Sequence, residues 1–289
     1  MNKFYKVLFP IGVFATLLIS SCELYNPAEP IPSYIHIQKI DLTTSYLTEG
    51  SNSNKISDAW VYVDDQLIGC FELPATFPVI GEGLHTVKIS AGIKVNGIAA
   101  NRAPYPFYSK YTQNIDLKAG TTTTLSPTVT YLPSTTFAFM QDFEGVGVTI
   151  APTANSDTTL QELVSPNPNV FEGLKCGVAY VDALKTFFEC TTVAKYPLPK
   201  NGAPVFLEFN YKCNYTFTVS VIAYGVSTQA QFSALHLNPS SDWNKAYIYL
   251  TPTVSGANTA IDYKMVWGMI NNTSTDSATI LLDNIKLVY

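Results

Sequence analysis

Asp142, Glu144, Glu208 and Asp283 are the carboxylates whose settings raise the question of chemistry. Hydrolysis of a glycosidic bond needs two carboxyl groups facing each other across a cleft. Nothing in the spacing of these four pairs them. Other titratable machinery is equally thin. There is no G-x-S-x-G, no H-E-x-x-H and no phosphate-cradling glycine loop. The three histidines, His36, His85 and His236, are scattered. Beyond Cys22, the cysteines are Cys70, Cys176, Cys190 and Cys213, without a C-x-x-C, which argues against zinc. The expectation is a protein with no catalysis of its own.

Aromatic side chains are the stronger signal. "RAPYPFYSKY", residues 102–111, holds three tyrosines, a phenylalanine and two prolines. Such a stretch is either a platform on which a sugar ring stacks or the inside of a β-domain. The prolines set an extended approach to the strand that follows. Regular spacing would put Tyr105, Phe107, Ser109 and Tyr111 on one face. The simpler reading is core or domain interface, with the tyrosine hydroxyls reaching polar partners.

The elements that would carry these residues read as strands. Short runs such as "YIHIQKI", "AWVYV", "TVKIS" and "YTQNIDL" are bounded by Gly, Asn, Asp or Pro, the pattern of an all-β sandwich. A second set runs from "FAFMQDFEGVG" to "TILLDNIKLVY". "TYLPSTT", residues 130–136, is the expected boundary between two domains, 34–132 and 134–289. In the second set, alternation separates a core-facing from an outward-facing series. Trp243 and Trp267 are expected in the core. Glu208, Asn210, Tyr224, Tyr247, Tyr249 and Lys264 are expected on the outer face. Aromatic rings beside amide and charged groups suit sugar recognition, and equally suit a solvated β-face or a protein interface. Cys176 and Cys190 flank a turn at 182–184 and would face each other across it. Either a cross-strand disulfide or two small buried residues satisfies that register.

Several stretches resemble known families. Lys3, Lys6 and the apolar run Val7–Ile19 have the form of a signal peptide. They end in Ile19-Ser20-Ser21-Cys22, which resembles a bacterial lipobox. That resemblance implies removal of residues 1–21 and lipid attachment at Cys22. The proline-rich residues 22–33 would then be a stalk. Tyrosine- and threonine-rich lipoproteins of this style look like those of Bacteroidota, which implies the outer membrane. The acidic cluster that marks surface export in that group is reduced here to Glu23 and Glu29. Residues 59–92 resemble a PEGA-type module, with Val61-Tyr62-Val63, the acidic turn Asp64-Asp65 and Ile68-Gly69. Asp65 stands where the usual turn has glycine. The second set of strands resembles the jelly-roll of carbohydrate-binding modules and galactose-binding-like domains. That implies an Ig-like/PEGA-like β-sandwich followed by a β-jelly-roll sandwich. It also implies a structural Ca²⁺ shared between Glu144 and Asp283, with no cofactor required for binding; the simpler reading of the pair is two carboxylates at sheet ends making turn hydrogen bonds.

Charge excludes one class of partner. The chain has 17 Lys and Arg against 22 Asp and Glu, a net charge of −5, and no basic cluster. Phosphate neutralisation, which nucleic-acid binding requires, has no source. The expected partners are a membrane through the lipid and a glycan. The alternative is an accessory subunit of an envelope assembly using the same faces for protein contact.

Overall fold

The computed structural model describes residues 29–271 and 277–289. The expected signal peptide and Cys22 lie outside them. The chain is all-β. The first half contains β1 (Ser33–Ile37), β2 (Asp41–Leu42), α1 (Tyr46–Glu49), β3 (Asp58–Val63), β4 (Gln66–Glu72), β5 (Ala75–Val79), β6 (Gly83–Lys94), β7 (Arg102–Pro104), β8 (Tyr111–Leu117), β9 (Thr122–Leu125) and β10 (Thr128–Val129). The second contains β11 (Phe137–Gln141), β12 (Ile150–Pro152), β13 (Gln161–Val164), β14 (Lys175–Val181), β15 (Phe187–Thr192), β16 (Phe206–Cys213), β17 (Phe217–Tyr224), β18 (Gln229–Leu237), β19 (Ser240–Tyr249), α2 (Thr251–Gly256), β20 (Asp262–Ile270) and β21 (Ala278–Val288).

In the first sandwich β1 lies between β5, antiparallel to it, and β9, parallel to it. A second sheet is β4-β3-β6, with β7 and β8 both pairing with β6, and β2 pairs with β10 in a short parallel ladder. Period-two alternation sends Ile35, Ile37, Val61, Val87 and Ile89 into one core. The β3–β4 hairpin closes through Asp64 and Asp65 at φ 48° and 66°. Two left-handed residues match a primed turn to the strand twist. Asp64 serves twice, since its side chain also accepts the Thr86 N–H at 2.9 Å.

The second sandwich has two sheets. One runs β13-β14-β21-β16-β19, with β11 beside β21; the other runs β12-β15-β20-β17-β18. Between them Phe209, Phe217, Ile248, Trp267 and Leu282 form the core. The turn after β14 is real: Asp182 Oδ1 accepts the Leu184 and Lys185 N–H groups. It is not a hairpin, however. β14 belongs to the first of these sheets and β15 to the second, so the chain crosses the sandwich there. Cys176 and Cys190 are both buried, free and in different sheets. The facing register fails because each strand has better partners, β21 and β20, elsewhere in the chain. Trp243 also departs from expectation. It covers the outside of its sheet, over Cys176, Val178 and Leu281, and its indole N–H donates to Asn169 O at 3.2 Å.

The two sandwiches meet over a buried aromatic seam. Tyr105, Tyr108 and Tyr131 of the first pack against Phe206 and Tyr247 of the second. Tyr105 sits edge-on to both Phe206 and Tyr247, with ring centroids 5.1 Å apart in each case. Residues 105–110 form no strand, so Tyr105 and Phe107 come from a turn rather than from one strand face. Tyr105, Phe107 and Tyr108 are thus an interface between sandwiches, while Tyr111 stays within the first, on β8.

Candidate functional site

Glu208, Asn210, Tyr247 and Tyr249 belong to β16 and β19 in one sheet, whereas Tyr224 and Lys264 belong to β17 and β20 in the other. A single six-residue ligand face is therefore corrected to two separate places. Three of the six are also closed to any ligand. Glu208, Asn210 and Tyr247 are 0%, 3% and 2% exposed. Tyr105 and Tyr131 donate their hydroxyls to Glu208 Oε1 at 2.6 and 2.9 Å. Lys245 Nζ lies 3.6 Å from Glu208. Ser53 donates to Asn210 Oδ1 at 3.0 Å, and the Lys55 N–H donates to Tyr247 Oη at 3.1 Å. Alternation does turn Glu208, Asn210 and Tyr247 away from the core of their own sandwich, but the first sandwich covers these three. Burial and the Glu208 charge push the Tyr247 hydroxyl well above the ordinary phenol range, so it stays protonated. Tyr249 is partly exposed at the seam's margin, where its N–H donates to Asn96 Oδ1 at 2.9 Å.

The other sheet of the second sandwich keeps an open outer face. Its inward series is Phe188, Cys190, Phe217, Val219, Met265 and Trp267. Its outward series places Glu189 opposite Gly268 and Gly268 opposite Thr218. Gly268 has no side chain to fill this row, and a cleft of about 360 Å³ lies over it. Phe187 and Tyr215 contribute rings, Thr218 and Ser220 hydroxyls, Gln231 an amide and Glu189 a carboxylate. The polar groups are already oriented. Gln231 Nε2 donates to Glu189 Oε2 at 3.0 Å, and Thr153 Oγ1 donates to Glu189 Oε1 at 2.9 Å. Tyr224 and Lys264 stand on the same outer face, along strands β17 and β20. The Lys195 ammonium lies 3.8 Å from the centroid of the Tyr224 ring. Burial and the Lys195 charge hold Lys264 below the usual lysine range. Chemically, this face offers flat apolar rings beside fixed donors and acceptors.

Phe187 and Glu189 were not singled out from sequence, although the alternation of "KTFFECTT" carries them opposite Phe188 and Cys190. Tyr215 and Gln231 had no such signal, since one precedes β17 and the other lies on an edge strand without clean alternation.

Glu144 and Asp283 are occupied differently. Glu144 Oε1 accepts the Leu174 and Lys175 N–H groups at 2.8 and 2.9 Å. Asp283 is buried; its Oδ1 accepts the Asn284 N–H at 2.7 Å, while Oδ2 has no hydrogen-bond partner among the described residues. Burial, reinforced by Glu172, Glu144 and Asp142, pushes its carboxyl up to about 8. Among the described residues no three His, Cys, Asp or Glu side chains are grouped to hold a metal ion.

No family model and no curated protein matches the chain. Solved structures do align with it. The likeness is to β-sandwich carbohydrate-binding modules. The CBM22-2 xylan-binding domain from Paenibacillus barcinonensis Xyn10C matches 52% of this chain and 98% of its own length, at 13% identity and a TM-score of 0.38. The family 11 carbohydrate-binding module from Clostridium thermocellum matches 51% and 92%, at 13% identity and a TM-score of 0.36. Scores this low establish no kinship, and the architecture stands on the strand register described above.

Proposed function

We propose that this protein is a non-catalytic, lipid-anchored outer-membrane protein that binds glycan on the open sheet of its second sandwich. The observation that carries the reading is the asymmetry of that sandwich. One outer face is covered by the first sandwich and by Trp243, while the other presents Phe187, Tyr215, Glu189 and Gln231 around the Gly268 cleft. A pyranose has apolar C–H faces for a ring to stack on and hydroxyls at its rim for amide and carboxylate groups. A shallow site of this kind binds in the millimolar to micromolar range, roughly −4 to −8 kcal/mol. Many copies on one membrane would raise the effective affinity. The test is a calorimetric titration of the full chain, freed of lipid by Cys22→Ala, against neutral polysaccharides. Tyr215→Ala and Gln231→Ala should each weaken binding about tenfold or more. Equal binding by both variants removes this face. No binding by the wild type moves the accessory-subunit reading ahead. The anchor is tested separately, since unchanged membrane retention of Cys22→Ala in cells would refute it.

Calcium belongs to the same proposal. The unpartnered Asp283 oxygen is what supports a cation at this end of the sandwich, with Glu144 as the second carboxylate that the resemblance implies. Calcium takes six to eight hard oxygens, so backbone carbonyls and water would supply the remainder. A melting temperature indifferent to both EDTA and added Ca²⁺ counts against it.

A further inference from the structure

A second cleft, of about 430 Å³, opens where the two sandwiches meet along the edge strand β19. This volume is in the range of small-ligand pockets. One wall is Lys55, Lys94 and the tight turn at 95–98, and the other is the β18–β19 turn with Asn244 and Lys245. The walls are tied together, because Asn96 of that turn accepts the Tyr249 N–H and Lys55 Nζ donates to Asn244 Oδ1 at 2.5 Å. The cleft therefore exists before any ligand arrives.

Its charge is one-sided. Among the described residues three lysines and His236 line it, and no Asp or Glu does. Lys94 is held at the margin by Glu72, 2.9 Å away, whose other oxygen takes Arg102 at 2.9 Å. Lys245 is buried, and among the described residues its Nζ has the 3.6 Å approach to Glu208 and no hydrogen bond. Lys55 has no carboxylate partner among the described residues. Burial, together with the charge of Lys94, holds its ammonium below the ordinary lysine range. Two cations sharing a partly desolvated cleft repel each other, and an anion between them would relieve that repulsion. Neutral polar groups line the remainder. Asn238 lies in the β18–β19 turn, and Asn244 Nδ2 donates to the Tyr211 hydroxyl at 3.0 Å.

We propose that this inter-sandwich cleft binds a carboxylated sugar of the hexuronic acid class, with Lys55 as the partner of its carboxylate and Asn238, Asn244 and Tyr211 facing its hydroxyls. The inference is independent of the open-sheet site, which uses other residues and is tested with neutral polysaccharides. The experiment is a titration of the full chain, carrying Cys22→Ala, with glucuronate, with a short galacturonate oligomer, with glucose and with acetate. Glucuronate should bind at least about tenfold more tightly than glucose or acetate, because only it offers charge and hydroxyls together. Binding should weaken as salt rises from about 0.02 M to about 0.5 M. Tighter binding of the oligomer than of glucuronate assigns the ligand to a polymer, and equal binding assigns it to the free sugar acid. Lys55→Gln should weaken glucuronate about tenfold with an unchanged melting temperature, Lys55→Arg should retain most of it, and Asn238→Ala should weaken it several-fold. Equal affinity for glucose and glucuronate, or wild-type glucuronate affinity in Lys55→Gln, overturns the proposal.

Discussion

Asp283 shows how a single residue couples this fold to pH. Its side chain is buried on β21, with one oxygen satisfied by its neighbour's N–H and the other unpartnered. Its carboxyl, pushed up to about 8, binds a proton in the folded state that the unfolded chain releases near pH 4. The folded state therefore holds more protons than the unfolded state between those values, and stability from this group falls as pH rises through the window. Asp283→Asn keeps the shape and removes the ionisation. In EDTA, the variant should be more stable than the wild type at pH 7, by on the order of 1–3 kcal/mol. The gap should close toward pH 4. Melting temperatures across pH 4 to about 8 measure it, and parallel curves for the two proteins would reject the assignment. Lys286 contributes with the opposite slope at higher pH. Burial lowers its ammonium to about 8, so its protonation in the unfolded chain alone makes stability rise with pH above that value.

Strand packing sets the tolerance of single elements. Gly177 of β14 faces the Phe143 ring, and a Cβ there would lie 2.6 Å from Phe143 Cζ. Phe143 is fully buried and cannot retreat without disturbing the core. Gly177→Ala should destabilise by about 1–3 kcal/mol, read from chemical denaturation midpoints. The β3–β4 hairpin predicts the reverse. Asp65 holds φ 66°, a conformation glycine adopts without a Cβ clash. Asp65→Gly loses only an exposed ion pair with Lys88. It should raise stability by about 0.5–1 kcal/mol, and a loss of that size would show that the aspartate side chain matters more than the backbone angle.

The whole molecule depends on the seam between the sandwiches. Phe206, Tyr247 and Val288 of the second sandwich are buried with the core of the first. The carboxylate of Glu208 takes its hydroxyl partners, Tyr105 and Tyr131, from across the boundary. The boundary segment is itself bound into the structure, as Thr136 and Tyr289 exchange backbone hydrogen bonds at 2.7 and 3.1 Å. Residues 134–289 expressed alone would expose those apolar side chains to water. The full chain should melt in one cooperative calorimetric transition, and the fragment at lower temperature with self-association in size-exclusion chromatography. Two resolved transitions in the full chain, or a monomeric fragment of undiminished stability, would show that the seam is not cooperative.

Alternation along each strand is a local property, and it was sufficient to place Leu207, Phe209, Trp267 and Val219 inward and Glu208, Tyr224 and Lys264 outward. Turn chemistry was local too, as at Asp64-Asp65 and Asp182. Composition and spacing likewise carried the all-β class. None of these signals states which strands share a sheet, because hydrogen-bond partners far apart in the chain leave no mark on the residues between them. Cys176 and Cys190 therefore looked like neighbours and are not. Tyr224 and Tyr247 looked like parts of one face and lie on different sheets. Nor does alternation distinguish a polar residue facing water from one facing a second domain, since Glu208 needs hydrogen-bond partners in either place. Only the docking of one sandwich on the other decided that Tyr247 is closed, that the Gly268 face is open, and that Lys55 and Lys245 share a cleft.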